Sequence, residues 1–165
     1  VGKQIQLTIT GIHHPPRTAA GISDNTGQRA AEPVVTRQEV QAEYFRRGDS
    51  HYLFYQEQPE GYPQPLQTRV KLKSGCLEIH RQGVMGSHLV FEEDKSYRTD
   101  YGTLYGTLAL DVVTTSVQVA ESKEDREEWP GVAVMYVLEE SGAPLGEYCL
   151  RIERADQSKS TDNEG

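Results

Sequence analysis

Leu66-Gln-Thr-Arg-Val-Lys-Leu-Lys73, then Ser74-Gly75, then Cys76-Leu-Glu-Ile-His-Arg81 is the stretch on which the fold turns. Leu66, Thr68, Val70 and Leu72 share one parity, and Gln67, Arg69, Lys71 and Lys73 share the other. Period two over this length specifies a strand with one buried face. A two-residue Ser-Gly loop suits a tight hairpin. It sets Leu72 opposite Leu77, Val70 opposite Ile79 and Thr68 opposite Arg81, so Arg81 falls on the apolar, inward parity.

The same pattern extends in both directions. Strand one is expected from Lys3 to Ile12, strand two from Val34 to about Arg46, and strand three from His51 to Glu57 after a Gly48-Asp49 turn. Between strands three and four, Pro59, Pro63 and Pro65 exclude ladder pairing. Strand six is expected over Met85 to Phe91, with Met85, Ser87, Leu89 and Phe91 inward. Strand seven covers Ser96 to Tyr101. Strand eight, Leu104 to Val119, is long enough to need a bulge, for which Gly106 is the expected place. Strands nine (Val132 to Glu139) and ten (Ala143 to Arg154) pair across Ser141-Gly142. The segment His13 to Glu32 lacks large apolar residues apart from Ile22 and reads as a long mobile loop. The charged run Glu121 to Glu128, ending in Trp129-Pro130-Gly131, reads as a solvated loop.

No helix separates these strands. They must close into an up-and-down barrel or stack as a sandwich. Sequential hairpins favour a meander, and closure removes edge strands, so the expected fold is all-β: one antiparallel up-and-down barrel of about eight to ten strands. The expected organisation is a single domain over residues 1–154 with a mobile loop at 13–32, followed by a disordered tail at 155–165.

Bulk composition narrows the function classes. The chain has 165 residues and a net charge of −8, with 25 acidic against 17 basic side chains. An acidic surface repels phosphate backbones, which argues against nucleic acid as a partner unless basic residues gather on one face. Arg69, Lys71 and Lys73 share a strand face, but Glu39, Glu43 and Glu57 lie on nearby strands. Cys76 and Cys149 fit no metal or redox spacing, and a disulfide between them is not expected. No signal pattern or apolar run of about 18 residues occurs, so no membrane partner is expected and the cytoplasm is the expected location.

The chain from Val34 to Arg154 resembles the YwiB-like family of bacterial proteins of unknown function. The resemblance rests on Tyr55-Gln-Glu57, on Arg81-Gln-Gly83 with Ser87 and Phe91, and on Tyr101-Gly-Thr103-Leu-Tyr105-Gly106 leading to Leu108-Ala-Leu110. A closing hairpin from Tyr136-Val-Leu138 to Leu150-Arg-Ile152 completes it. This resemblance implies a calycin-type, lipocalin-like barrel in the cytoplasm, and supplies no substrate, cofactor or reaction.

Arg81 is the most informative candidate. A buried guanidinium must find acceptors, and Glu57 and Ser87 are its expected neighbours. Two readings stay open: Arg81 anchors a ligand's carboxylate or phosphate, or it pairs with Glu57 and fixes the barrel's register. Tyr55, Tyr101 and Tyr105 join the ligand-binding candidates because they fall inside the family motifs. His80 and His88 share an outward parity, and no metal site is expected. No nucleophile elbow or phosphate loop is present, so neither catalytic residues nor a cofactor are expected. The leading expectation is a non-catalytic barrel binding a small amphipathic or anionic molecule, with Arg81 as polar anchor. The alternative is an interaction module with a packed interior, whose partners dock near an exposed Trp129. Monomer and homodimer are both left open.

Overall fold

The computed structural model describes residues 2–16, 32–58, 61, 63–83, 86–103, 105–120 and 128–155. They form ten antiparallel strands: β1 (Lys3–His14), β2 (Val34–Arg47), β3 (Ser50–Glu57), β4 (Leu66–Lys73), β5 (Cys76–Gln82), β6 (Ser87–Glu92), β7 (Ser96–Thr103), β8 (Gly106–Val119), β9 (Val132–Glu140) and β10 (Ala143–Arg154). The sheet order is β6-β5-β4-β3-β2-β1-β10-β9-β8-β7. Every strand except β6 therefore neighbours its successor in sequence, and β1 also pairs with β10. The remaining seam lies between β6 and β7. It carries a Gly102 N–H to Gly86 carbonyl bond of 3.1 Å and a Thr99 Oγ1 to His88 carbonyl bond of 2.6 Å. The result is a nearly closed barrel. Among the described residues no helix is long and apolar enough to cross a membrane.

Turn chemistry sets the registers. Ser74 and Gly75 have φ of 48° and 75°, and Ser141 and Gly142 have 52° and 84°. Positive φ at both central residues is the turn whose twist matches flanking strands. Leu72 faces Leu77, Val70 faces Ile79 and Thr68 faces Arg81, as the alternation predicts. Strand limits move by one or two residues in several places: β8 begins at Gly106 rather than Leu104, and β6 at Ser87 rather than Met85. Three departures are larger or bear on the site. First, β1 runs on to His14, because His13 pairs with Val34 on one side and Tyr148 on the other. Second, β7 extends to Thr103. Third, the irregularity in β8 falls between Thr114 and Ser116 rather than at Gly106. Gly106 instead closes the β7–β8 turn with φ of 126°. Met85, residues 17–31, most of the charged run (121–127) and the tail from 156 lie outside the described residues.

The interior has two unlike ends. At the end holding the Gly48, Gly75 and Asp94 turns, Leu7, Leu53, Leu77, Phe91, Val112, Val134 and Ile152 are almost wholly buried. Each such side chain contributes roughly 1.5–3 kcal/mol through burial. Trp129, between β8 and β9, folds under this end. It is 1% exposed, and its Nε1–H donates to the Ile152 carbonyl at 2.9 Å. Its ring meets His51 edge-on at 6.2 Å. The opposite end is less covered: Val34 and Leu108, both on inward parities, remain 55% and 39% exposed.

His51 ties Trp129 to Tyr44, whose hydroxyl lies 2.8 Å from His51 Nδ1. Burial, aided by the Arg46 charge, holds the His51 pKa below its ordinary 6.5. The unfolded chain therefore takes up this proton first. The contribution is full above about pH 6.5 and falls as pH drops through that value toward the folded pKa. Urea midpoints are expected to decline between about pH 7.5 and 5.5, and His51→Gln is expected to flatten that limb.

Candidate functional site

One cross-strand row carries the polar chemistry at the less covered end. Tyr55 on β3 pairs with Thr68 on β4, Thr68 with Arg81 on β5, and Arg81 with Ser87 on β6. Glu57 lies two residues beyond Tyr55 on the same inward face. Its Oε2 accepts from Thr68 Oγ1 at 2.6 Å and from Arg81 Nε at 2.9 Å. Its Oε1 accepts from Gln38 Nε2 at 3.1 Å. The side chains of Arg81 and Glu57 are 22% and 12% exposed.

The electrostatics follow from these contacts. Burial alone would raise the Glu57 pKa, but the Arg81 charge and three hydrogen bonds outweigh it and hold the carboxyl below its usual value. Burial likewise opposes the charge on Arg81, and Glu57 more than offsets it. Burial pushes the Tyr55 and Tyr136 phenols well above their ordinary range. Both tyrosines, and Tyr101, lie within electrostatic reach of the guanidinium.

Both oxygens of Glu57 accept hydrogen bonds, whereas most donors of Arg81 have no partner among the described residues. A guanidinium has five N–H groups, and only Nε–H has a hydrogen-bond partner among the described residues. Beside it Ser87, 7% exposed, has a buried Oγ with no hydrogen-bond partner among the described residues. Thr114 Oγ1 on β8, facing Tyr136, is in the same state. Hydroxyls left unpaired in a dry core would be costly. Ser87 Oγ and the Nη atoms of Arg81, whose side chain keeps 22% of its exposure, are the donors at this end. Thr114, bonded through its backbone to Asp94 and Lys95, lies toward the packed end.

An aromatic wall runs from this end toward the packed half. His13 stacks on Tyr148 at 4.3 Å, Tyr148 on Tyr136 at 5.3 Å, and Tyr136 tilts against Phe91 at 4.6 Å. Alternation places Tyr136 with Val132 and Val134, and Tyr148 with Leu150 and Ile152. Tyr136 and Tyr148 are thus legible as inward from sequence, although neither is among the expected ligand-binding candidates. His13 carries no such signal, because the alternation of β1 is legible only to Ile12 and the polar, proline-bearing segment that follows reads as loop.

Of the expected candidates, Arg81, Ser87, Glu57 and Tyr55 come together, with half-buried Tyr101 near them across the seam. Tyr105 does not. It is 97% exposed at the tip of the β7–β8 turn, where its N–H donates to Thr103 Oγ1 at 3.1 Å. Trp129 is corrected as well: packing beneath the barrel buries it, so it offers no exposed anchor. His80 and His88 do pair on the outer surface, with ring centroids 5.2 Å apart. No group of three or more ligating side chains suited to a metal occurs among the described residues. Cys76 and Cys149 are free thiols.

Fold and site together define a ten-stranded barrel, sealed by a tryptophan at one end and carrying a buried arginine–glutamate pair near the other. The chain belongs to the family described as a domain of unknown function (DUF1934), whose model matches residues 22–152. The crystal structure of the ywiB protein from Bacillus subtilis is similar in fold. Its TM-score is 0.63 at 17% identity, with 93% of each chain covered. No curated protein matches the sequence.

Proposed function

We propose that this protein is a non-catalytic binding protein that holds a small amphipathic molecule inside its barrel. Arg81 and Ser87 receive a carboxylate or similarly acceptor-rich head. The observation that carries this reading is the pair of unpartnered donors, Arg81 Nη and Ser87 Oγ, on adjacent strands of one inward row. Bidentate contact with a carboxylate is what a free guanidinium edge does best. Barrel diameter grows with strand number, and eight strands already suffice to hold one small ligand. A ten-stranded barrel is wider than an eight-stranded one, and Trp129 and its neighbours pack one end of it. The wall of His13, Tyr148 and Tyr136 offers apolar ring faces to the ligand's body. A calycin-type barrel is consistent with this use, as an analogy of fold. Two free thiols suit a reducing, cytoplasmic setting.

Fluorescence titration with dansylaminoundecanoic acid tests this reading. The double variant Arg81→Met/Glu57→Met removes both charges without orphaning either. It is expected to stay folded and to weaken binding about 10-fold or more, the value of a charge-assisted hydrogen bond. The uncharged amide of the probe is expected to bind the native protein correspondingly weakly. Equal binding by native protein and double variant would sink the anchor, and no binding by the native protein would sink the reading.

A further inference from the structure

The outer surface of β2–β6 is chemically unlike the rest of this acidic chain. Phe45 stacks on Tyr52 at 4.9 Å and on Phe54 at 5.5 Å, with ring planes within 15° and 10° of parallel. The Lys71 ammonium stands 5.9 Å over the Tyr52 ring. Register places Tyr52 beside Lys71 and Phe54 beside Arg69, and Arg47 lies two residues from Phe45 on the same face. Together these groups line a groove of about 500 Å³ on the strand surface. Phe54 and Arg69 also border an adjoining recess of about 140 Å³, which Gln67 and Gln82 line with side-chain amides.

The charge balance differs from what sequence proximity suggests. Glu57, which would offset these bases, points into the barrel and is held by Arg81. Within the groove Arg47, Arg69 and Lys71 face a single carboxylate, Glu78, which lies 3.2 Å from His88 Nε2. Glu43 stands at the margin, opposite Phe54. A net charge of −8 thus coexists with a local cationic strip interleaved with ring faces.

We propose that this face binds single-stranded nucleic acid. Arg47, Lys71 and Arg69 take successive phosphates. A nucleobase lies against Phe54, its edge within reach of the Gln67 and Gln82 amides. Stacking rings beside a cationic track is the combination single strands require, because every base has a π-face and every phosphate a charge. A duplex hides its bases and cannot use the rings. A purely acidic or purely apolar partner would leave one half of the groove's chemistry unused. The overall negative charge restricts binding to this strip and keeps it modest, in the range of about 10⁻⁴–10⁻⁶ M typical of sequence-independent contact.

Fluorescence anisotropy with labelled twelve-nucleotide oligo-U and oligo-dT tests the proposal on the full chain. Three phosphate contacts predict a roughly 20-fold loss of affinity between about 50 and 200 mM salt. Arg69→Ala/Lys71→Ala is expected to reduce that salt effect to about threefold and to weaken binding at low salt at least 10-fold. Phe54→Ala is expected to weaken binding roughly 5- to 150-fold through lost stacking. All these positions are on the outer surface, so unchanged thermal melts separate loss of binding from loss of fold. Arg98→Ala on β7, away from the groove, is expected to bind like the native chain. Native protein that fails to bind either oligonucleotide at about 100 µM and low salt overturns the proposal. So does undiminished binding by Arg69→Ala/Lys71→Ala, or equal affinity for the same sequence as a duplex.

Discussion

Replacing Trp129 by alanine is expected to lower stability by about 4 kcal/mol, the middle of the range for emptying a large buried aromatic site. For a chain of this length that corresponds to a fall in Tm of roughly 8–16 °C. Trp129 is among the largest fully buried side chains and a member of the core cluster, and it closes one end of the barrel against His51 and Ile152. Alanine leaves a cavity that the strands around it cannot collapse to fill, because their ladders hold them apart. It also leaves the Ile152 carbonyl without its Nε1–H donor. Trp129→Phe should retain most of the contact while losing that donor, at a smaller cost of about 1–2 kcal/mol. Trp129 is the only tryptophan, so urea unfolding has to be followed by far-ultraviolet circular dichroism. A midpoint unchanged in Trp129→Ala would mean that the residue does not seal the barrel.

Why the sequence misplaces Trp129 is instructive. Its neighbours on the N-terminal side are a run of charges, and Pro130-Gly131 follows, so every local signal says exposed loop. What buries it is tertiary: β9 and β10 bring Val132 and Ile152 beside it, and β2 and β3 bring Tyr44 and His51. None of these contacts leaves a local trace. Strand parity, by contrast, is a local property, and here it is legible throughout. The Ser74-Gly75 loop specifies the β4–β5 register residue by residue, and from it the inward placing of Arg81 opposite Thr68 follows without any structure. Its pairing with Ser87 depends on the β5–β6 turn and is a finding of the structure. Sequence places Glu57 near Arg81, yet proximity along the chain also sets its charge with Glu39 and Glu43 against the basic face of β4. A side chain on an inward parity cannot do both, and the pair contact with Arg81 decides the matter. Tyr105 fails for a different reason: β7 continues to Thr103, so Tyr105 occupies the turn rather than a strand face.

Glu57→Ala is expected to destabilise the protein by about 3 kcal/mol, toward the lower end of the range for breaking a buried ion pair because Arg81 retains some solvent contact. The change leaves the guanidinium without its carboxylate partner and removes the acceptor of Thr68 Oγ1, itself 2% exposed. The pH dependence has a definite sign. Glu57 is held below its ordinary 4.5 in the fold. Its contribution is therefore complete above that value and is lost as pH falls through it toward the folded pKa. In Glu57→Ala the acid limb of the stability curve is expected to be shallower. Arg81→Met/Glu57→Met leaves no orphaned charge and is expected to lie within about 1–2 kcal/mol of the native protein, the residue of that loss being the unpaired Thr68 hydroxyl. The native protein, Glu57→Met, Arg81→Met and the double variant are the four corners of a cycle whose coupling energy isolates the pair. A coupling near zero would mean that solvent already screens it. A coupling of about 2 kcal/mol or more would establish that Arg81 fixes the register of β3, β4 and β5. That outcome leaves ligand binding intact as a separate matter, since the register role occupies only Nε while the Nη edge is what a carboxylate would meet.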